Sequence, residues 1–164
     1  MERHRGYDLF FHSFYEGPLR DAIISYKSGR WRLKNFLSDL ITGVMEFFEV
    51  DFDSIVPVPP TLSSLEERGF DHMLSIAKEV SKRTGKRIVR ALVQIGEERQ
   101  VGKGSLERRK AVYRFEMVSY PGERVALLDD VYTTGSTIRG CVSALREGGV
   151  EKVYVFVLAR TRRG

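Results

Sequence analysis

Asp129 and Asp130 stand side by side, directly after the apolar run Val125-Ala-Leu-Leu128. A short hydroxyl-rich loop, Thr133-Thr-Gly-Ser-Thr137, follows almost at once. Neighbouring carboxylates repel each other and are costly to desolvate, so a buried strand carries two only where something offsets that cost. A pair of vicinal hydroxyls can do so by donating hydrogen bonds to them. Thr133, Thr134, Ser136 and Thr137 supply further donors. Gly135 permits a positive φ or a close ligand approach. A helix beginning after this loop would add free backbone amides and partial positive charge, which suit a phosphate. The ligand that uses all three parts is a ribose with a phosphate on one carbon. The plainer alternative is an ordinary strand-to-helix turn, in which Asp130 ends the strand and Ser136 or Thr137 caps the helix.

The elements that must position these groups show in the hydrophobic pattern. Residues 124–128 read as a strand, and the continuous apolar run Val125–Leu128 within it is the mark of a strand buried on both faces of a parallel sheet. Ligands of such sheets sit beyond the carboxyl ends of the strands, where the two aspartates fall. Residues 54–58 read as another buried strand that runs into Pro59-Pro60. Further strands are expected over 88–95, 113–118 and 153–159. A helix is expected over 71–84, with Met73, Leu74, Ala77 and Val80 inward and Gly85 as its stop. Another is expected over 136–147, closed by Gly148-Gly149. Residues 96–112 are polar and basic, with Gly102 and Gly104, and read as a long loop.

Residues 7–50 read as helical. An aromatic-rich segment over 7–15 is broken by Gly17-Pro18, a second helix covers 19–27, and a third covers 31–48. The third places Trp31, Leu33, Phe36, Leu37, Leu40 and Ile41 among its apolar positions. The order of elements predicts an α/β domain with a central, mostly parallel sheet flanked by helices. Residues 1–164 are expected to form one domain, with 1–50 as a helical hood or flank and 51–164 as the α/β core.

Composition narrows the function classes. The chain has 164 residues, a net charge of +5 and one cysteine. A lone Cys141 excludes an internal disulfide and a cysteine-cluster metal site, and it suits a small buried hydrophobe. His4, His12 and His72 lack ligand-like spacing. No apolar run approaches a membrane span and the N-terminus has no signal-peptide core, so a cytoplasmic location is expected. The basic balance fits a polyanionic small molecule or a nucleic-acid surface.

Residues 125–137 resemble the phosphoribosyl-pyrophosphate (PRPP) signature of type I phosphoribosyltransferases: four hydrophobic residues, two acids and a small Thr/Gly-rich loop. That resemblance implies the type I phosphoribosyltransferase fold. It implies that Asp129 and Asp130 bind the ribose hydroxyls and serve catalysis, and that Thr133, Thr134, Gly135, Ser136 and Thr137 wrap the 5-phosphate.

More of the chain, about residues 14–160, is similar to ComF-like (ComF/GntX) proteins. Pro57-Val-Pro59 and Arg68-Gly-Phe70 match the strand-end pattern of that family, with Asp71 where Asn is usual. By analogy this is the pyrophosphate loop, with Thr61, Arg68 and Gly69 as ligands. Asp71 also suits a helix N-cap. Arg99, Gln100, Glu107 and Arg108 resemble the family's flexible loop, in which Lys103 could also meet the diphosphate; Ala111 stands near the family's usual Asn. Tyr15-Glu-Gly-Pro-Leu-Arg20 with Lys27 resembles its N-terminal stretch, which would turn Tyr15 and Lys27 toward an acceptor; surface or core roles stay equally open for both.

The implied reaction moves ribose 5-phosphate from PRPP to a small-molecule acceptor, a nitrogenous base, and releases pyrophosphate. Mg2+ would ride on the diphosphate and ribose oxygens, with Asp129 or Asp130 as its protein ligand and no site built by protein side chains alone. Many ComF-like proteins begin with a four-cysteine zinc module; this chain lacks those cysteines, and no zinc is expected. The resemblance also points to a role in competence and DNA uptake. Open alternatives are a non-catalytic PRPP or nucleotide sensor and a nucleic-acid-binding accessory protein. A homodimer is compatible with all three.

Overall fold

The computed structural model describes residues 1–61, 65–66, 69–99 and 111–162, with the backbone alone at 97–99 and 111–113. In chain order the elements are β1 (Glu2–His4), β2 (Tyr7–Phe14), α1 (Gly17–Lys27), α2 (Leu33–Phe48), β3 (Ser54–Pro57) and α3 (His72–Thr84). They continue with β4 (Arg87–Ile88), β5 (Leu92–Arg99), β6 (Ala111–Met117), β7 (Arg124–Tyr132), α4 (Ser136–Glu147) and β8 (Lys152–Arg160). Six strands form one sheet in the order β1-β2-β8-β7-β3-β4. Every pairing in it is parallel except that of β1 with β2. Strands β5 and β6 make a separate antiparallel pair.

The central strand is β7, between β3 and β8. Leu127 is in register with Val56 on one side and Val155 on the other. Side chains alternate across a strand, and here both faces are covered. Val125 and Leu127 join Val56, Val153, Val155 and Ile138 in the core beneath α4. Ala126 and Leu128 join Ile55, Phe156, Ile23, Ile41 and Ile76 in the core beneath α1, α2 and α3. All four residues 125–128 are fully buried, which is why this strand reads as an unbroken apolar run.

Several elements differ from the sequence expectation. Residues 7–14, expected to be helical, form β2 and pair with β8, Leu9 opposite Val155 and Phe10 opposite Phe156. Leu9 packs on the α4 face and Phe10 on the three-helix face. The segment needs apolar residues on both sides, so it has no period-2 alternation to betray it, and its aromatics favour a pleated surface. The strand expected over 88–95 is divided between β4 and β5, because β5 leaves the main sheet to pair with β6. The long loop expected at 96–112 is hairpin strand at both ends, through Arg99 and from Ala111. Trp31 and Phe36, expected inward, are 55% and 48% exposed. Cys141 is buried under the sheet, as expected.

Because β2 is an integral strand, truncating its core residue should unfold the protein readily. Leu9→Ala is expected to cost about 2–5 kcal/mol in urea denaturation. The same change at exposed His12 should stay within about 0.5 kcal/mol of the parent. Equal, small effects at both positions would contradict the strand.

Candidate functional site

Strand β7 continues through both aspartates to Tyr132, past the end expected at Leu128. The alternation that sends Leu127 and Leu128 to opposite cores therefore separates Asp129 from Asp130. Asp129 faces a small cleft lined with Tyr132, Thr133, Gly135, Ser136 and Thr137. Asp130 faces the helices and is buried. Lys27 Nζ, from the last residue of α1, forms an ion pair with Asp130 Oδ2. His72 Nε2, from the first residue of α3, lies 2.7 Å from the same oxygen. Asp71 caps α3 by accepting a hydrogen bond from the Leu74 N–H at 2.9 Å, as the sequence suggests. The Tyr26 hydroxyl donates to the His72 carbonyl at 3.2 Å. Consecutive residues of α1 thus hold the start of α3 and the carboxylate.

The two carboxyl groups are driven apart in acidity. Burial and the neighbouring Asp130 charge push Asp129 up to about 7, partly opposed by the Asp130 N–H it accepts and by Lys27. Burial also works against charge on Asp130, but the His72 hydrogen bond and Lys27 outweigh it and hold this group below the ordinary carboxylate range. Two titratable groups whose surroundings separate their acidities are a recurring mark of acid–base sites.

Beyond β7 the loop turns on Gly135, at φ +77°, which is the N-cap of α4. A Cβ at this position would overlap the Tyr132 hydroxyl. That hydroxyl is hydrogen-bonded to the Tyr7 hydroxyl at 2.8 Å, buried beneath the loop, and His4 stacks on Tyr7 at 4.8 Å. No side chain caps α4, so the capping expected of Ser136 or Thr137 in the plainer reading is not made. Thr134 Oγ1 and Ser136 Oγ lie 3.0 Å apart, and Arg139 donates to the Thr134 carbonyl at 2.9 Å. The loop is therefore a glycine-turned cradle of hydroxyls at a helix start, with a guanidinium on its rim.

The remaining expected site residues are placed as follows. Thr61 accepts from the Leu65 N–H at 3.1 Å, and Gly69, at φ +71°, donates to the Leu65 carbonyl at 2.8 Å. Thr61 also lines a groove between the strand-end loop and β5, with Pro60, Arg90 and Gln94. Tyr15 packs against the three-helix core, and its N–H donates to the Arg160 carbonyl at 2.9 Å. Arg68, Gln100, Lys103 and Arg108 lie outside the described residues, as does the side chain of Arg99. Sequence reasoning missed His72, Tyr26, Tyr7 and Arg139. For His72 the one available signal was its place directly after Arg68-Gly-Phe-Asp71.

No protein-family model matches the chain. Competence protein ComFC of Bacillus subtilis is 27% identical over 129 residues, 77% of this chain and 52% of that protein. Transcriptional regulator GfcR of Methanocaldococcus jannaschii is 27% identical over 149 residues, 86% of this chain and 60% of that protein. Orotate phosphoribosyltransferase of Aquifex aeolicus is 50% identical over 44 residues, 27% of this chain and 24% of that protein. The chain thus spans no more than three fifths of these relatives. Among solved structures, adenine phosphoribosyltransferase from Thermoanaerobacter pseudethanolicus matches with a TM-score of 0.52 at 16% identity, covering 84% of this chain and 74% of that one. Orotate phosphoribosyltransferase from Aeropyrum pernix matches with a TM-score of 0.50 at 20% identity, covering 80% and 62%.

The fold is that of the type I phosphoribosyltransferases, and the chain is ComF-like. In this phosphoribosyltransferase fold the acid pair ends the central strand and the Gly135 loop opens the helix behind it. Both features set measurable expectations. Gly135→Ala places a side chain at positive φ and against Tyr132, and should destabilise the protein by about 1–3 kcal/mol in chemical denaturation. For Asp129 the folded state binds its proton more tightly than the unfolded chain, whose carboxyl has the usual 3.8. Stability from this group is therefore full below about pH 4 and is lost as pH rises through about 7. Asp130 acts in reverse, stabilising above the ordinary carboxylate range and losing that effect as pH falls. Asp129→Asn should thus melt higher than the parent at pH 8, with the gap closing near pH 4 in paired thermal scans.

Proposed function

We propose that this ComF-like protein binds PRPP and transfers its ribose 5-phosphate to a nitrogenous base, releasing pyrophosphate. The observation that carries this reading is the pair Asp129 and Asp130 on opposite faces of one strand end, followed directly by the Gly135 cradle. The ribose hydroxyls lie against the two carboxylates. The 5-phosphate sits in the loop 133–137, with the amides at the start of α4 and the hydroxyls of Thr133, Thr134, Ser136 and Thr137 as its donors. Thr61, Arg68 and Gly69 are the residues proposed to bind the diphosphate, with Arg99, Gln100, Lys103 and Arg108 as its further proposed ligands.

The bond from ribose C1 to the diphosphate oxygen breaks as the acceptor nitrogen bonds to C1, and a carboxylate of the acid pair takes the acceptor's proton. Positive charge that develops on the ribose is stabilised by the same pair. Binding both phosphates and fixing the sugar supplies the orientation. Mg2+ takes oxygen ligands and few protein groups when a substrate offers phosphates. The residues fit that mode, because the acid pair offers carboxylate oxygens. Asp129 is the better placed, because Asp130 Oδ2 already serves Lys27 and His72. When bound, the ion neutralises charge on the leaving diphosphate.

We read residues 1–164 as one working unit in the cytoplasm; no described helix is long and apolar enough to cross a membrane. A second reading, a PRPP-sensing regulator without turnover, draws on the similarity to a transcriptional regulator across most of the chain. A competence role draws on the similarity to ComFC, and the charge of +5 leaves room for nucleic acid.

Calorimetry with PRPP and magnesium should show binding that Asp129→Ala with Asp130→Ala abolishes. Absence of binding to the parent protein would remove both the transferase and the sensor readings. Trp31 is the sole tryptophan, and its ring lies 4.0 Å from Phe70 at the end of the strand-end loop, so its emission offers a second binding signal. Pyrophosphate release across a panel of purine and pyrimidine bases separates the two readings: release with one base marks a transferase, and binding without release marks a sensor.

A further inference from the structure

We propose that His72 is a positioning residue of this site, holding the Asp130 carboxylate oriented for the ribose hydroxyls. The inference rests on the PRPP reading and adds a residue to it.

The argument begins with the geometry at Asp130. Among the described residues, both of its side-chain partners meet at Oδ2. Oδ1 is the oxygen left for a ligand. A carboxylate that must accept a sugar hydroxyl needs its plane fixed, since a hydrogen bond weakens steeply once misaligned. One firmly seated donor at Oδ2 meets that need, because hydrogen bonds to charged groups are the strong ones.

The two partners are not equivalent. Lys27 reaches Asp130 on a flexible four-carbon stem, and its side chain is 27% exposed against 10% for His72. A lysine so placed can move when a polyanion arrives. His72 is fixed at three points: its backbone begins α3 beside the capped Asp71, its carbonyl accepts from Tyr26, and its ring is packed out of solvent. It has few alternative positions, so the ring keeps the carboxylate in place whether or not Lys27 remains.

The role predicts a selective defect. His72→Phe keeps a planar ring and removes the donor, and it should weaken PRPP–magnesium binding about tenfold in calorimetry, the scale of one hydrogen bond to a charged group. Magnesium pyrophosphate, which has no ribose, should bind as tightly as to the parent. His72→Gln, which restores an N–H at similar reach, should recover most of the PRPP affinity. In an Asp130→Asn background His72→Phe should add no further loss, because its effect passes through the carboxylate. Equal PRPP affinity in parent and His72→Phe would overturn the inference and leave the PRPP reading standing. Parallel loss of PRPP and pyrophosphate, or full additivity with Asp130→Asn, would show a merely structural histidine and also overturn it. No PRPP binding by the parent would remove the reading itself and this inference with it.

Discussion

A β-strand's two-residue period forces neighbouring side chains to opposite faces, and here it acts on two carboxylates at the end of the central strand. Had β7 stopped at Leu128, as the apolar run suggests, both acids would belong to a loop and could share one environment. Because the strand continues to Tyr132, each acid is assigned to a different layer. Asp129 goes with α4 and the hydroxyl cradle, and Asp130 with α1 and α3. Each layer must then answer for one carboxylate. The helical layer does so with cations and donors, Lys27 and His72. Among the described residues the other supplies no comparable partner, and burial leaves Asp129 closer to neutrality.

Much of this arrangement was legible in the chain, and the reasons for the exceptions are specific. Strands β3, β7 and β8 and helices α3 and α4 follow from local pattern: unbroken apolar runs, helical spacing and glycine stops. The Asp-Asp and Gly135 signature is also local, because its parts are consecutive. Strand β2 is different. Its aromatic run is buried on both faces and carries no alternation, so pattern alone does not separate it from a helix. The pair His72–Asp130 joins residues 58 positions apart, and nothing in local spacing encodes it. The Tyr7–Tyr132 hydroxyl pair joins residues 125 apart and is hidden for the same reason. Lys27 shows an intermediate case: the ComF-like resemblance brought it to notice, but only packing brings it to Asp130.

These long-range contacts make the donor side depend on the first thirty residues. Tyr7, on β2, braces Tyr132 beneath the cradle, with His4 of β1 stacked against it. Tyr26 and Lys27, at the end of α1, fix the other face. The N-terminal segment thus braces the cradle beside Asp129 on one side of the sheet and pairs with Asp130 on the other. A loop turned by a single glycine has little stiffness of its own, since glycine is the residue least constrained by its backbone. Rigid support has to come from packing below, and a buried hydroxyl pair supplies it with direction as well as contact, since leaving either hydroxyl unpaired there is costly.

The charge arrangement resolves an apparent contradiction in the proposed ligand. PRPP is a polyanion, and two bare carboxylates would repel it at close range. In the free protein neither stands bare. Asp130 is neutralised by Lys27, and Asp129 keeps its proton well above the ordinary carboxylate range. The local field at the strand end is therefore near balance, while the chain as a whole carries +5 and draws anions inward. In the proposed transfer, the full negative character of the pair is needed only when positive charge develops on the sugar. At that stage a carboxyl group poised near neutrality can ionise in response, whereas one with an ordinary acidity would already have opposed the phosphates on their way in. Burial of Asp129, which reduces the stability of the empty fold at neutral pH, is in this view the feature that lets one strand end accept an anion and then stabilise a cation.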